Sequence, residues 1–165
     1  MDSKEYIDRL RTRLSRYYDF KELAFALPVE LCAELNVSDE GYFLIPALKT
    51  YSVSHNEYLY VVLVKEQLSE ELLTSYLELL KNSMKVYKPQ ENHMSSIFSI
   101  VFVCEKPLPQ ELIHKYVGFK FHKDYMFTLR GWSDLALYLV DMSVEALYHN
   151  KAGKKNAGYF SIKNG

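Results

Sequence analysis

The sequence predicts an α+β domain built on a mixed sheet, in the order α-β-β-β-α-β-α-β-β, with helices covering the sheet. Three observations carry that expectation. Apolar and polar residues alternate over 29–38, and near-continuous apolar runs follow at 58–64 and 97–104, the patterns of strands buried on one face and on two. Two segments, 3–18 and 69–84, instead repeat their apolar residues at three- and four-residue spacing, as a helix with one buried stripe does. A long helical connection then joins the third strand to the fourth, which makes those two strands parallel, whereas short turns make the first three antiparallel neighbours.

The elements follow in order. Tyr6, Ile7, Leu10, Leu14, Tyr17 and Tyr18 make the stripe of the first helix. Asp2, Glu5 and Asp8 at its start and Arg13 and Arg16 towards its end suit the helix dipole. In "PVELCAELNVS", Val29, Leu31, Ala33, Leu35 and Val37 form the buried face of a strand, and "SDEG" at 38–41 reads as a turn. "GYFLIPALKTYSV" is a second strand with Pro46 at an edge or a bulge, "SHNE" at 54–57 a second turn, and "YLYVVLVK" a third strand. Ser69 caps the next helix, with Glu70 and Glu71 in its first turn and Leu72, Leu73, Tyr76, Leu77, Leu80 and Met84 on its buried face. "IFSIVFVCE" is the most apolar strand of the chain. "KPLPQELIHKYVG" is a short helix between Pro109 and Gly118, and "FKFHKDYMFTLRG", "WSDLALYLVDM" and "ALYHN" read as strands. Residues 1–150 are expected to form one globular domain, and 151–165 a basic, frayed tail.

Bulk properties narrow the function classes. A chain of 165 residues suffices for one well-filled core. No apolar run approaches the roughly 18 residues of a membrane span, so a membrane is not expected among the partners. The charged start "MDSKEYIDRLRTRL" predicts no export signal. Cys32 and Cys104 sit in apolar stretches, where reduced cysteines pack as small hydrophobes; the expected location is the cytoplasm. The formal charge of −1 divides into +4 on residues 151–165 and −5 on the rest, and an acidic body gains nothing from the attraction that drives nucleic-acid binding. Fourteen tyrosines against one tryptophan suit amphipathic rings at core edges, or an aromatic interface.

The order α-β-β-β-α-β over residues 3–105 resembles the core of the PD-(D/E)XK, restriction-endonuclease-like, superfamily. That resemblance implies acids on the second strand and an acid-x-Lys on the third, holding magnesium. Lys65 falls at the lysine position, but Leu63 stands at the acid position, and the second strand contains no Asp or Glu. Magnesium needs carboxylate oxygens, so no metal is expected. "HMSSIFSIVFV", "FKFHKDYMFTLRGW" and "LYLVDM" are, in this order, similar to a family of small uncharacterised bacterial proteins. That second resemblance implies one domain of unknown function and carries over no site.

The candidate chemistry is sparse. Glu91, His93, Ser95 and Ser96 bring an acid, a base and two hydroxyls into one stretch, the residue types of a serine nucleophile and its base. The stretch lacks the glycine of a nucleophile elbow, and the expected role of its serines is to satisfy backbone groups where a strand begins. His93, Ser95, Ser96 and Lys65 are the catalytic candidates. His114, His122 and Asp124 match no zinc spacing. Glu30 and Glu34 share a strand face, about 13 Å apart and wider than paired glycosidase carboxylates. Arg9, Arg13 and Arg16 line one side of the first helix and, with the basic tail, are candidates for an anion or nucleic-acid surface. Trp132, at a strand corner after Arg130 and Gly131, is a candidate anchor for the core or for a partner. No glycine loop has nucleotide-binding spacing, so no cofactor is expected. The leading expectation is a non-enzymatic domain that binds a protein partner or a second copy of itself. The alternative is a diverged nuclease-like domain that still binds nucleic acid.

Overall fold

A computed structural model describes residues 1–22, 26–42 and 49–163. Three α-helices, a seven-stranded mixed sheet and a 3-10 helix make an α+β fold. The helices are α1 (Ser3–Leu14), α2 (Glu70–Val86) and α3 (Gln110–Val117). The strands are β1 (Asp19–Phe20), β2 (Leu31–Tyr42), β3 (Lys49–Val64), β4 (His93–Cys104), β5 (His122–Asp124), β6 (Trp132–Asp141) and β7 (Ala146–His149). They lie in the order β1-β2-β3-β4-β6, and the outer edge of β6 is shared by β5 along residues 132–134 and β7 along 138–141. β2 is antiparallel to both of its neighbours, β1 and β3, and β3, β4 and β6 are parallel.

Capping explains the helix limits. The Asp2 carboxylate accepts from the Glu5 amide at 2.7 Å, and the Ser69 hydroxyl from the Leu72 amide at 3.1 Å, each satisfying a donor that the first turn leaves open. The β3–β4 crossover carries α2 and the β4–β6 crossover carries α3. Both helices cover one face, where Leu73, Leu80 and Ile113 meet Ile100, Phe102 and Leu137. α1 and the 3-10 helix (Lys154–Phe160) cover the other, where Leu10 and Phe160 meet Val61, Val101 and Tyr138. Strand β4, with Ile100 to Cys104 fully buried, is therefore central and covered on both sides, as its apolar composition requires.

Three expectations give way. "SDEG" and "SHNE" are not turns: β2 runs through Tyr42 and β3 from Lys49 to Val64, paired from Leu31↔Val61 to Tyr42↔Lys49. The turn-prone residues 54–57 instead find partners across the sheet. Asn56 reaches the Tyr87 hydroxyl, and Glu57 accepts from Asn156 at 2.8 Å and from the Tyr18 hydroxyl. Pro46, the expected edge or bulge, lies outside the described residues. "FKFHKDYMFTLRG" supplies only the three residues of β5, and 125–130 leave the sheet. The C-terminal segment is docked rather than frayed. Phe160 is buried against Tyr138 with ring centroids 4.3 Å apart, Tyr6 donates to the Phe160 carbonyl at 2.8 Å, and Arg13 donates to the Tyr159 and Ser161 carbonyls.

Candidate interaction site

The end of the sheet where the parallel strands β4 and β6 begin carries the least ordinary geometry of the chain. In a regular strand His93 and Ser96, three apart, would face opposite sides. The β3–β4 register passes from Ser54↔His93 to His55↔Ser95, so Met94 is an extra residue. Such a bulge resets the alternation, and His93 and Ser96 come to share the α2 face. His93 Nε2 lies 2.6 Å from the Ser96 hydroxyl, and Nδ1 lies 2.7 Å from the Arg130 carbonyl. A carbonyl only accepts, so Nδ1 is the nitrogen that donates to Arg130, and Nε2 is the one that meets Ser96. Ser95 turns the other way, 2.7 Å from His55 Nδ1.

This pair has the contact of a nucleophile and its base, yet it is sealed. His93 is 4% and Ser96 1% exposed. The rings of Tyr87 and Tyr125 pack edge-on against His93 at 5.7 and 5.9 Å. The Tyr87 hydroxyl receives Asn56 at 3.3 Å, with the Tyr58 hydroxyl also at 3.3 Å and Ser96 at 3.5 Å. Tyr125 donates within reach of both the Met84 carbonyl, at 3.0 Å, and the Ser133 hydroxyl, at 2.9 Å. The network ties β3, the end of α2, β4 and the segment 125–131 together.

What it holds is a strained loop. Met126, Phe127 and Thr128 have φ of 50°, 53° and 70°, and Gly131 has 74°. A left-handed conformation costs an L-residue roughly 1–2 kcal/mol, and three consecutive non-glycine residues adopt it here. The turn closes on itself: Leu129, Arg130 and Gly131 amides donate to Met126, Tyr125 and Thr128 carbonyls at 3.0–3.1 Å, and the Tyr125 amide to the Gly131 carbonyl at 3.0 Å. Gly131 is required there, because a Cβ would sit 2.1 Å from the Met94 carbonyl oxygen. Held in this way, the loop turns its apolar side chains outward. Phe127 is 96%, Leu129 78% and Met126 59% exposed. Six of the twelve large apolar side chains exposed among the described residues lie at this end, the other three being Val86, Met94 and Trp132. Beside the loop is a groove of about 360 Å³, ringed by Lys85, Lys88, Lys123 and Arg130 and lined by Tyr87 and Tyr125. Arg130 donates to the Pro89 carbonyl at 3.3 Å and stands 3.8 Å from Glu91. Lys88 and Lys123 have no ion-pair partner among the described residues.

The remaining sequence candidates are dispersed. Lys65 is exposed at the opposite end of the sheet. There Asp141 is buried and accepts from the Leu108 and Ser143 amides, tying two loops together. Arg9 pairs with Glu5 at 2.7 Å, Arg13 holds the C-terminal segment, and Arg16 is exposed. Trp132 is 36% exposed beside the loop. His122 bridges Asp134 at 2.6 Å and Asp124 at 3.1 Å, and His114 is exposed on α3. Among the described residues no group of three or more His, Cys, Asp or Glu side chains is placed to hold a metal ion. Sequence reasoning reached Trp132 and the Arg130–Gly131 corner but missed Tyr87, Tyr125 and Phe127. The run "YMFTLRG" has the composition of a strand, and no glycine at 126–128 announces the left-handed turn.

Neither the curated proteins nor the solved structures include a match to the chain. A family model described as a domain of unknown function, DUF8052, matches residues 2–162, and the chain belongs to that family.

Proposed function

We propose that this chain is a non-enzymatic binding domain that engages its partner through the end built by residues 122–132. One observation carries the reading. Three successive left-handed residues, pinned by a buried hydrogen-bond network, display Met126, Phe127 and Leu129 to solvent instead of folding them inward. Backbone strain persists only where surrounding structure over-determines it, and it gathers at functional sites. Clustered exposed apolar side chains beside cations are the mark of an interaction surface. The burial of Ser96 and His93 supports a structural role for that pair: its bonds serve to anchor the Arg130 carbonyl rather than to face a cavity. A nucleic-acid surface on α1 draws less support, since Glu5 and the C-terminal segment engage Arg9 and Arg13.

The test places a photo-crosslinking benzoylphenylalanine at position 127, or at the exposed Val144 as control, and irradiates cells of the native host. A discrete adduct from position 127 and none from 144, read by intact mass, is the expected outcome. Identical adducts from both positions, or none from either, would remove the reading.

A further inference from the structure

We infer that this end of the molecule docks on an anionic lipid surface, with Phe127 and its apolar neighbours entering the interface and the lysines around the groove facing headgroup phosphates. The inference rests on the binding reading above and names its partner. Shape is the first ground. Phe127, at 96% exposure, and Leu129, at 78%, are prongs on the turn beside the groove. A folded partner must supply a matching pocket for each prong, whereas a bilayer receives them without one.

Charge is the second ground. Residues 85–94 and 120–132 carry five basic and two acidic side chains, hence +3, which leaves −4 for the rest of a chain whose formal charge is −1. An anionic surface attracts this end and repels the remainder, so it orients the tip inward. The same +3 disfavours two copies meeting tip to tip, because like charges face each other across a two-fold interface. Apolar insertion and cations together are the two signals that stable interfacial attachment takes. The anchored turn adds a third advantage, since a tip already fixed loses little freedom on docking. Crossing a bilayer is a separate matter. No helix among the described residues is long and apolar enough to do so, and docking through the side chains of a loop calls for none.

The full chain is mixed with vesicles of phosphatidylcholine and phosphatidylglycerol in a three-to-one ratio, and with vesicles of phosphatidylcholine alone. Binding is followed by flotation and by the emission of Trp132, the sole tryptophan. Binding to the mixed vesicles with a blue-shifted emission is expected, weakening as salt is raised. Phe127→Ser lowers the affinity about tenfold or more, from the apolar area it no longer buries. Lys88→Gln and Lys123→Gln lower it about fivefold each, the effect of one cation near an anionic surface. Val144→Ser, at the far end of β6, leaves it unchanged, and all four variants keep the wild-type unfolding midpoint. Failure to bind the mixed vesicles, equal binding to neutral ones, or binding indifferent to Phe127→Ser each overturns the inference. If vesicles fail while the crosslinker at 127 still traps a protein or a second copy, the lipid falls and the binding reading stands. If 127 traps nothing of its own, the binding reading falls with it.

Discussion

Replacing Gly131 by alanine tests the loop where its geometry is least forgiving. The added Cβ would lie 2.1 Å from the Met94 carbonyl oxygen, 2.5 Å from its carbon and 2.9 Å from His93 Nδ1. Two of those atoms are backbone and cannot rotate away. At φ 74° alanine also takes on about 1–2 kcal/mol of left-handed strain. Relieving the overlap costs about 1–3 kcal/mol, as overpacking does elsewhere. Separating residue 131 from His93 weakens the bond to the Arg130 carbonyl, another ~1 kcal/mol. Alanine stiffens the unfolded chain and returns roughly 0.4–1 kcal/mol. The net loss is about 2–6 kcal/mol, a large part of an ordinary domain's 5–15 kcal/mol. Urea unfolding followed by Trp132 fluorescence and far-ultraviolet dichroism measures it. Gly158→Ala is the control: nothing lies within 4 Å of its Cβ position, so its effect stays within about 0.5–1 kcal/mol of zero. Amide exchange supplies a local reading, because the Leu129, Arg130 and Gly131 amides are all bonded inside the turn and should lose protection first. A Gly131→Ala protein less than about 1 kcal/mol weaker than wild type, with those amides still protected, would refute the close approach of the loop to Met94.

Phe160→Ala should cost about 3–5 kcal/mol in chemical denaturation, the range for a fully buried phenylalanine; a loss under ~0.5 kcal/mol would mean that the C-terminal segment is loose after all. Burial, with the Asp141 charge adding to it, pushes the Cys104 thiol up to about 12, and burial with Glu34 beside it takes Cys32 to about 11. Both thiols should resist maleimide in the native state near neutral pH and react on unfolding; rapid native labelling would contradict that burial. His122 is raised above the ordinary imidazole value, chiefly by its hydrogen bond to Asp134. The stabilisation this gives is complete below the unfolded-state imidazole pKa, roughly 6.5, and is lost as pH rises through the folded value. Nuclear magnetic resonance titration should show Asp134→Asn lowering the His122 midpoint, and an unmoved midpoint would deny the contact.

Where one element decides its own structure, the sequence was legible. Ser69 and Gly118 mark helix limits at the positions the sequence offers, and β4 declares its central place because only a strand covered on both faces can be that apolar. The parallel β3–β4 pair follows from the length of the connection alone. Legibility ended where distant residues settle a local choice. Ser54 to Glu57 have the composition of a turn, and nothing near them in the chain reveals that Tyr87 will accept from Asn56 while Tyr18 and Asn156 donate to Glu57. The lysine-rich tail likewise gives no local sign that Tyr6 and Arg13, at the other end of the chain, will bind its carbonyls.

The end built by residues 122–132 was hidden for a different reason. "HMSS" reads as the approach to a strand, although β4 already begins at His93, and "YMFTLRG" reads as strand; each breaks the strand rule at one point. At Met94 the extra residue turns an odd spacing into a shared face and so creates the His93–Ser96 pair. At 126–128 ordinary L-residues adopt a backbone that glycine would adopt freely. Glycines there would have made the turn easier to form and easier to recognise, but they would have removed the methionine and phenylalanine side chains it displays. A strained backbone that keeps its large apolar residues is therefore better explained by what those residues touch outside the molecule than by anything they contribute to its fold.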